Sequence, residues 1–176
     1  LAEALQTIVN STAVQIEKQG GALESDIKVG EAYIEADRLH FTNILHNLLD
    51  NAMKYCRQKP EIRLSAVQED GQVVICIQDQ GIGISREHLG RVFSKFYRVP
   101  TGNVHKVKGF GLGLYYVKRI CDAQGWPLQI DSAAGVGTSV TLTMPLPQPG
   151  LQRWWHSLRQ TFLSPFRRAS TRLTSL

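Results

Sequence analysis

The sequence predicts an α+β fold: a two-layer α/β sandwich with a mixed, mostly antiparallel sheet and helices on one face. Three observations lead there. Residues 1–18, 37–56 and 115–123 carry apolar side chains at the spacing of a single buried helix face. Residues 61–68, 72–78, 128–131 and 139–144 have the composition and patterning of strands. The order is helix, strands, helix, hairpin, long connection, helix, hairpin, which gives neighbouring antiparallel pairs instead of a repeating strand–helix unit.

The first helix places Leu1, Leu5, Ile8, Val9, Ala13 and Ile16 on one side, and Gly20-Gly21 ends it. Residues 22–28 and 31–35 are expected to be two short strands around a turn at Gly30. Asp37 is the expected N-cap of the second helix. That helix buries Phe41, Leu45, Leu48, Leu49, Ala52 and Cys56. Asn43, Asn47, Asn51 and Lys54, spaced by four, four and three, form a polar stripe beside the apolar one. Amides are mediocre helix formers, because they compete with the backbone for hydrogen bonds. Such a stripe is either a polar rim or a working surface.

Pro60 closes the second helix region. Ile62, Leu64 and Ala66 then alternate towards a hairpin turn at Glu69-Asp70-Gly71. The return strand interleaves Val73, Ile75 and Ile77 with Val74 and Cys76, so it is expected to be buried on both faces. Ser85 reads as the cap of a short helix through Leu89. Residues 91–111 form a connection of a length that usually signals a functional lid or disorder. The last two strands flank Gly135-Val136-Gly137-Thr138. Pro145, Pro147 and Pro149 mark a boundary, dividing the chain into a domain at 1–147 and a tail at 148–176.

The 176 residues suffice for one domain with a sizeable core. The net charge of +5 points to an anionic partner only until it is located: all 15 acidic residues precede residue 150, whereas 151–176 hold five arginines and no acid. The body is therefore balanced and carries no nucleic-acid footprint. Cys56, Cys76 and Cys121 have neither zinc-ligand spacing nor a disulfide pattern, which suits a reducing, cytoplasmic environment. No apolar run is long enough to span a membrane.

Two glycine-rich segments carry chemistry. Asp79-Gln80-Gly81-Ile82-Gly83-Ile84 follows a strand directly, and its glycines permit a sharp turn and close approach to a ligand. A carboxylate there is wrong for phosphate and right for accepting a hydrogen bond from an amino group such as adenine's. A tight turn with a capping aspartate is the plainer reading. Gly109-Phe110-Gly111-Leu112-Gly113-Leu114 precedes a helix, where backbone N–H groups and the helix dipole favour phosphate, with Lys106 and Lys108 nearby. It lacks the Gly-Lys-Ser/Thr of a Walker loop and the spacing of a Rossmann fingerprint.

Together these segments resemble the catalytic ATP-binding domain of two-component sensor histidine kinases, within the wider family of gyrase, Hsp90, histidine kinase and MutL ATPases. Residues Asn47 to Tyr55 resemble its N box, and Asp79 to Gly83 its first glycine box. The run Phe93-Ser94-Lys95-Phe96-Tyr97-Arg98 resembles its F box, Gly109 to Leu114 its second glycine box, and Gly137-Thr138 its late Gly-Thr pair. The resemblance covers about residues 1–147 and implies a Bergerat-type fold with an ATP lid.

It also implies roles. Asn51 would ligate the Mg2+ that bridges the ATP phosphates, since an amide oxygen suits a hard cation, with Asn47 beside it. Lys54 would neutralise a phosphate, and Tyr55 would lie against the nucleotide. Asp79 would accept the adenine amine, aided by a water shared with Thr138. Gly81, Gly83 and Ile84 would admit the base. Gly109, Gly111, Leu112, Gly113 and Leu114 would surround the phosphates, and Arg98 would reach the γ-phosphate. Phe93 and Phe96 would anchor the lid to the core. Plainer readings stand beside two of these: Tyr55 as core edge and Lys54 as a solvated lysine.

Relatives that hydrolyse ATP resemble one another in a glutamate one turn before the magnesium-binding asparagine. Here that position is Asn47, which is no base, and Asp50 lies roughly 100° around the helix from Asn51. Phosphoryl donation is therefore favoured over water attack. The phosphoacceptor histidine of the resembled family precedes an acidic residue, whereas the five histidines here precede Phe41, Asn47, Leu89, Lys106 and Ser157. The expectation is a catalytic fragment. Its partners would be an upstream dimerisation and phosphoacceptor domain of a homodimeric protein, anchored in the cytoplasmic membrane, and a response regulator. Alternatives are a catalytically silent nucleotide-sensing module, an ATPase of the same superfamily, or an anti-sigma-type serine kinase. In the tail, Leu151, Trp154, Trp155, Leu158, Phe162 and Phe166 follow helical spacing among arginines. The readings are a basic amphipathic helix on a membrane or a partner, packing on the same domain, disorder, or no relation to function.

Overall fold

Helix α1 (Ala2–Lys18) seats Leu5, Ile8, Val9, Thr12 and Ile16 in the interior. Its end is fixed by Gly21, whose N–H bonds the Ile16 carbonyl at 3.0 Å. The structure is a computed structural model that describes residues 1–100 and 109–147. The tail reading, and Lys106 and Lys108 of the lid, lie outside the described residues.

The second helix, α2 (Arg38–Lys54), starts where the sequence predicts: the Asp37 carboxylate accepts the His40 N–H at 2.9 Å. That bond to the charged form holds the Asp37 pKa below the usual carboxylate value. Phe41, Ile44, Leu45, Leu48, Leu49, Ala52 and Met53 form its buried face. The helix stops one residue before Tyr55, so Cys56 falls outside it, half-exposed and not in the core as expected.

Among the described residues five strands form one sheet in the order β1-β2-β3-β5-β4. They are β1 (Ala22–Lys28), β2 (Glu61–Glu69), β3 (Gln72–Asp79), β4 (Leu128–Ala133) and β5 (Gly137–Pro145). Only β1 and β2 run parallel, because α2 carries the chain back between them; the other three pairs are antiparallel. The β2–β3 hairpin turns through Asp70 and Gly71, both with positive φ, the signature of a type I′ turn. Two further helices complete the order: the single turn α3 (Arg86–Leu89) after β3, and the 12-residue α4 (Gly113–Gln124) before β4.

Two strand expectations are corrected. Residues 31–35 are not a strand: β1 finds its partner in β2, and the turn around Gly30 instead tucks Val29 and Ala32 into the core, with the Ala32 N–H on the Val29 carbonyl. Strand β3 is not buried on both faces. Val73, Ile75 and Ile77 are buried, but Val74 and Cys76 are only partly covered, among Ser139, Thr141 and Thr143 of β5. The reason is architectural: α1, α2 and α4 all contribute to the core on one face, where Leu45, Leu49, Leu64, Ile75, Val117 and Leu142 are essentially inaccessible. Each large side chain of that kind stabilises the fold by about 1.5–3 kcal/mol. The α+β sandwich with a mixed, mostly antiparallel sheet is the fold observed. Among the described residues no helix is long and apolar enough to cross a membrane.

Candidate active site

Asp79 is the last residue of β3 and points to the core side of the sheet, the side of Val73, Ile75 and Ile77. Its Oδ1 accepts the Gly81 N–H at 2.8 Å and, more weakly, the Thr138 N–H at 3.3 Å. Two backbone donors thus pin one oxygen and leave Oδ2 for whatever enters from the cavity. Burial nevertheless dominates and raises the Asp79 pKa, with the Gly81 and Thr138 bonds opposing it.

The cavity beneath Asp79 has apolar walls from Leu48, Ala52, Ile77, Ile82, Leu114, Ile130 and Val140. Asn51, Tyr55, Asp79, Gly83, Ile84, Thr138, Tyr97 and Arg98 also line it. It is an apolar slot with a few convergent polar groups, the usual make-up of a small-molecule site. Helix α2 supplies one wall, β3 and β5 the floor, and Val92 to Val99, the first part of the 91–111 connection, the far side.

The glycines of the turn after β3 are required by the packing. A β-carbon on Gly81 would lie 2.5 Å from the Tyr55 carbonyl oxygen and 2.7 Å from Asp79 Oδ1. Gly83 combines φ of 66° with a backbone oxygen, that of Ala133, 1.9 Å from where a β-carbon would be. Both allow the turn to press against its neighbours, so that Gly83 and Ile84 reach the cavity wall while Gly81 is used up behind it.

Not every residue singled out in the sequence meets in this cavity. Asn51, Tyr55, Asp79, Gly83, Ile84, Arg98, Leu114 and Thr138 line it; Asn47, Lys54, Gly81, Gly109, Gly111, Leu112 and Gly113 do not. Asn47 lies in a second, more polar cleft with Thr12, His46 and Asp50, and its Nδ2 donates to the Asn43 carbonyl at 2.7 Å. Lys54 is paired with Asp50 one turn back on the surface of α2. Gly113 opens α4 directly against Asn47, and the Gly111 carbonyl accepts the Phe96 N–H. Phe93 is partly covered, but Phe96 does not anchor anything: it is 63% exposed with φ of 62°, and the Lys95 ammonium lies over its ring. The backbone there is committed to Gly111, which turns the side chain outward. Val92 is the buried residue of that segment.

Sequence reasoning missed Tyr97 and Ser132. Tyr97 lines the cavity and is held by His88 through a 2.8 Å bond from its hydroxyl, with the Arg91 guanidinium over its ring. Ser132 joins the turn after β3 to the β4–β5 hairpin through three hydrogen-bonding contacts. Neither is detectable from periodicity. The only trace in the sequence is that Ser132 is polar on the strand face that otherwise carries Leu128 and Ile130.

Comparison with known proteins gives a consistent answer. A family model described as histidine kinase-, DNA gyrase B-, and HSP90-like ATPase matches residues 36–148. The chain is 43% identical over 148 residues to the sensor protein RprX of Bacteroides fragilis, covering 82% of this chain and 28% of RprX. It is 33% identical over 126 residues to the sensor histidine kinase WalK of Bacillus subtilis, covering 70% of this chain and 21% of WalK. It therefore spans about a quarter of the length of these relatives. Among solved structures, the catalytic domain of the histidine kinase ThkA superposes with a TM-score of 0.69 at 22% identity, covering 83% of this chain and 92% of that one. Full-length ShkA in complex with AMPPNP gives 0.72 at 23%, covering 84% of this chain and 30% of that one, and both show the same fold. The chain belongs to the histidine kinase-, DNA gyrase B- and HSP90-like ATPase family, as a catalytic domain of the sensor histidine kinase kind.

Proposed function

We propose that the cavity binds Mg-ATP and that the domain donates the γ-phosphate to a histidine on a dimerisation domain outside these 176 residues. The carrying observation is the pairing of two polar groups in one apolar slot: the half-buried Asp79 carboxylate, pinned at one oxygen, and the Asn51 amide. A flat base fits the apolar walls, and its amino group meets Asp79 Oδ2. Asn51 would hold Mg2+ through its amide oxygen, a ligand that suits a hard cation without repelling phosphate. The ion supplies charge neutralisation of the phosphates when bound.

The remaining roles are assigned to residues around that axis. Tyr55, Gly83, Ile84 and Thr138 contact the base end. Arg98 reaches the γ-phosphate, and Lys54 joins it after leaving Asp50, an exposed pair worth only about 0.3–0.5 kcal/mol. Asn47 and the segment from Gly109 to Leu114 border the phosphates. Donation is favoured over hydrolysis because, among the described residues, Asp79 is the only acid lining the cavity, and it is committed to the base end. Asp50 faces the other cleft. Among the described residues no positioned general base serves a water there.

The printed names of the relatives, sensor protein and sensor histidine kinase, support placing this domain within a sensor kinase. The wider reading proposed for the whole protein is a homodimer that signals to a response regulator, with this domain on the cytoplasmic side of the membrane. Calorimetry with a non-hydrolysable ATP analogue and Mg2+ tests the site. Undetectable binding by the wild type, or unchanged binding by Asp79→Asn, sinks it. A separately supplied dimerisation domain tests donation; nucleotide binding without phosphorylation would identify a silent sensing module instead.

A further inference from the structure

The proton count around Ser132 fixes the polarity of the cavity at its Asp79 end. The Ser132 hydroxyl oxygen accepts the Ile84 N–H at 2.8 Å, and its proton goes to the Gly137 carbonyl at 2.7 Å. A carbonyl can only accept, and a serine hydroxyl has one proton. The 3.0 Å contact between Ser132 Oγ and Thr138 Oγ1 must then use the threonine's proton. Thr138, which lines the cavity, is left with lone pairs alone to present to it. Asp79 Oδ2 beside it is likewise an acceptor.

We infer that Ser132 is a positioning residue for base specificity: by taking the Thr138 proton it leaves the Thr138 hydroxyl and the Asp79 carboxylate as a pair of acceptors. The inference rests on the nucleotide reading of the cavity. A 6-amino purine brings a proton to Asp79, and a water between Thr138 and the ring can give one proton to each. A 6-oxo purine brings an unprotonated oxygen to the Thr138–Asp79 pair, which has no proton to offer it, and an unpaired polar atom in such a slot is costly. Ser132 thereby reinforces rejection of the oxo base without touching the ligand itself.

Without Ser132, Thr138 becomes free to rotate and donate into the cavity. The local structure has other ties: the Gly135 N–H bonds the Ile82 carbonyl at 2.7 Å, and Asp79 retains its two backbone donors. Removing the hydroxyl therefore alters polarity more than shape.

The test compares binding of non-hydrolysable adenosine and inosine triphosphate analogues, with Mg2+, by calorimetry on the 176-residue chain. Ser132→Ala should lower the adenine-over-hypoxanthine affinity ratio about five- to tenfold, the worth of one hydrogen bond. In a Thr138→Val background, where no hydroxyl is left to reorient, the same substitution should leave the ratio unchanged. Ser132→Cys, a weaker acceptor of similar shape, should give an intermediate ratio and serves if the alanine variant does not fold. An equal loss for both nucleotides, an unchanged ratio, or the same change in the Thr138→Val background overturns the proposal while leaving the nucleotide site intact. Failure of the wild type to bind either analogue overturns both.

Discussion

Asn47 Oδ1 stands 2.8 Å from the point where a β-carbon on Gly113 would lie. The first residue of α4 is thus in contact with the amide stripe of α2, and Asn47 is held there by its bond to the Asn43 carbonyl. Alanine at 113 gains about 0.5–1 kcal/mol of helix propensity. It also pushes the amide aside and strains a bond worth about 1 kcal/mol. The two effects nearly cancel for stability. Gly113→Ala should melt within about 3 °C of the wild type while binding the Mg-ATP analogue several-fold more weakly, as read by thermal denaturation and calorimetry on one sample.

Asp79 gives a pH-dependent prediction. Burial raises its folded pKa above the unfolded value. The folded state then holds the proton more tightly, so this residue's contribution is most favourable below the unfolded pKa. It declines as pH rises through the interval up to the raised folded value, and is constant above that. Asp79→Asn removes the desolvated charge and keeps an oxygen for Gly81 and Thr138. At pH 7 the variant should be at least as stable as the wild type, and the gap should narrow in melts taken at progressively lower pH. Its amide donor facing the cavity should abolish binding of the adenine nucleotide.

Gly83→Ala should be costly for a local reason. Its φ of 66° is strained for alanine, and the new methyl would meet the Ala133 backbone oxygen at 1.9 Å. Backbone cannot give way as a side chain tip can. A loss of about 2 kcal/mol or more is expected, which lowers the melting temperature by roughly 5 °C or more. A melt unchanged from the wild type would contradict the packing described for this turn.

The three cysteines should separate by reactivity. Cys121 is fully buried, and burial, with Asp122 adding to it, pushes its thiol pKa up to about 11. Cys56 and Cys76 are partly exposed. A thiol reagent at pH 8 should leave Cys121 unmodified in the folded protein and label it on unfolding, because the thiolate is the reacting form. Mass spectrometry of labelled peptides reads this directly.

Leu48→Ala in the wall of the cavity should cost about 2–5 kcal/mol, since this side chain is 4% exposed and shared between core and slot. The stability loss should be measurable by urea denaturation in the absence of any nucleotide.

Much of this molecule is written locally. The Asp37 cap of α2, the glycine stop of α1, the apolar faces of α1 and α2 and the type I′ turn at Asp70-Gly71 follow from residue spacing and single-residue conformational preference. So does the end of β3 in an Asp-x-Gly-x-Gly turn. Ser85 precedes α3 as expected, but its hydroxyl goes to the Glu87 carboxylate and caps no backbone N–H. By itself the sequence determined the α+β layering and the segments from which a site could be built.

Only the tertiary structure decided how those segments meet. It paired β1 with β2 in parallel and left 31–35 outside the sheet, because strand pairing depends on which edges α2 brings together. Among the described residues it placed α1, α2 and α4 on one face of the sheet, so Val74 and Cys76 on the other are half-exposed. It put Asn51 and Asp79 in one slot while sending Asn47 to a neighbouring cleft and Lys54 to Asp50, although all three helix residues share one stripe. It also brought Ser132 to Ile84 and Thr138 across β4 and β5, assigning a proton that no spacing rule could place. Helical periodicity fixes which residues share a face, but which neighbour that face meets depends on contacts distant in sequence.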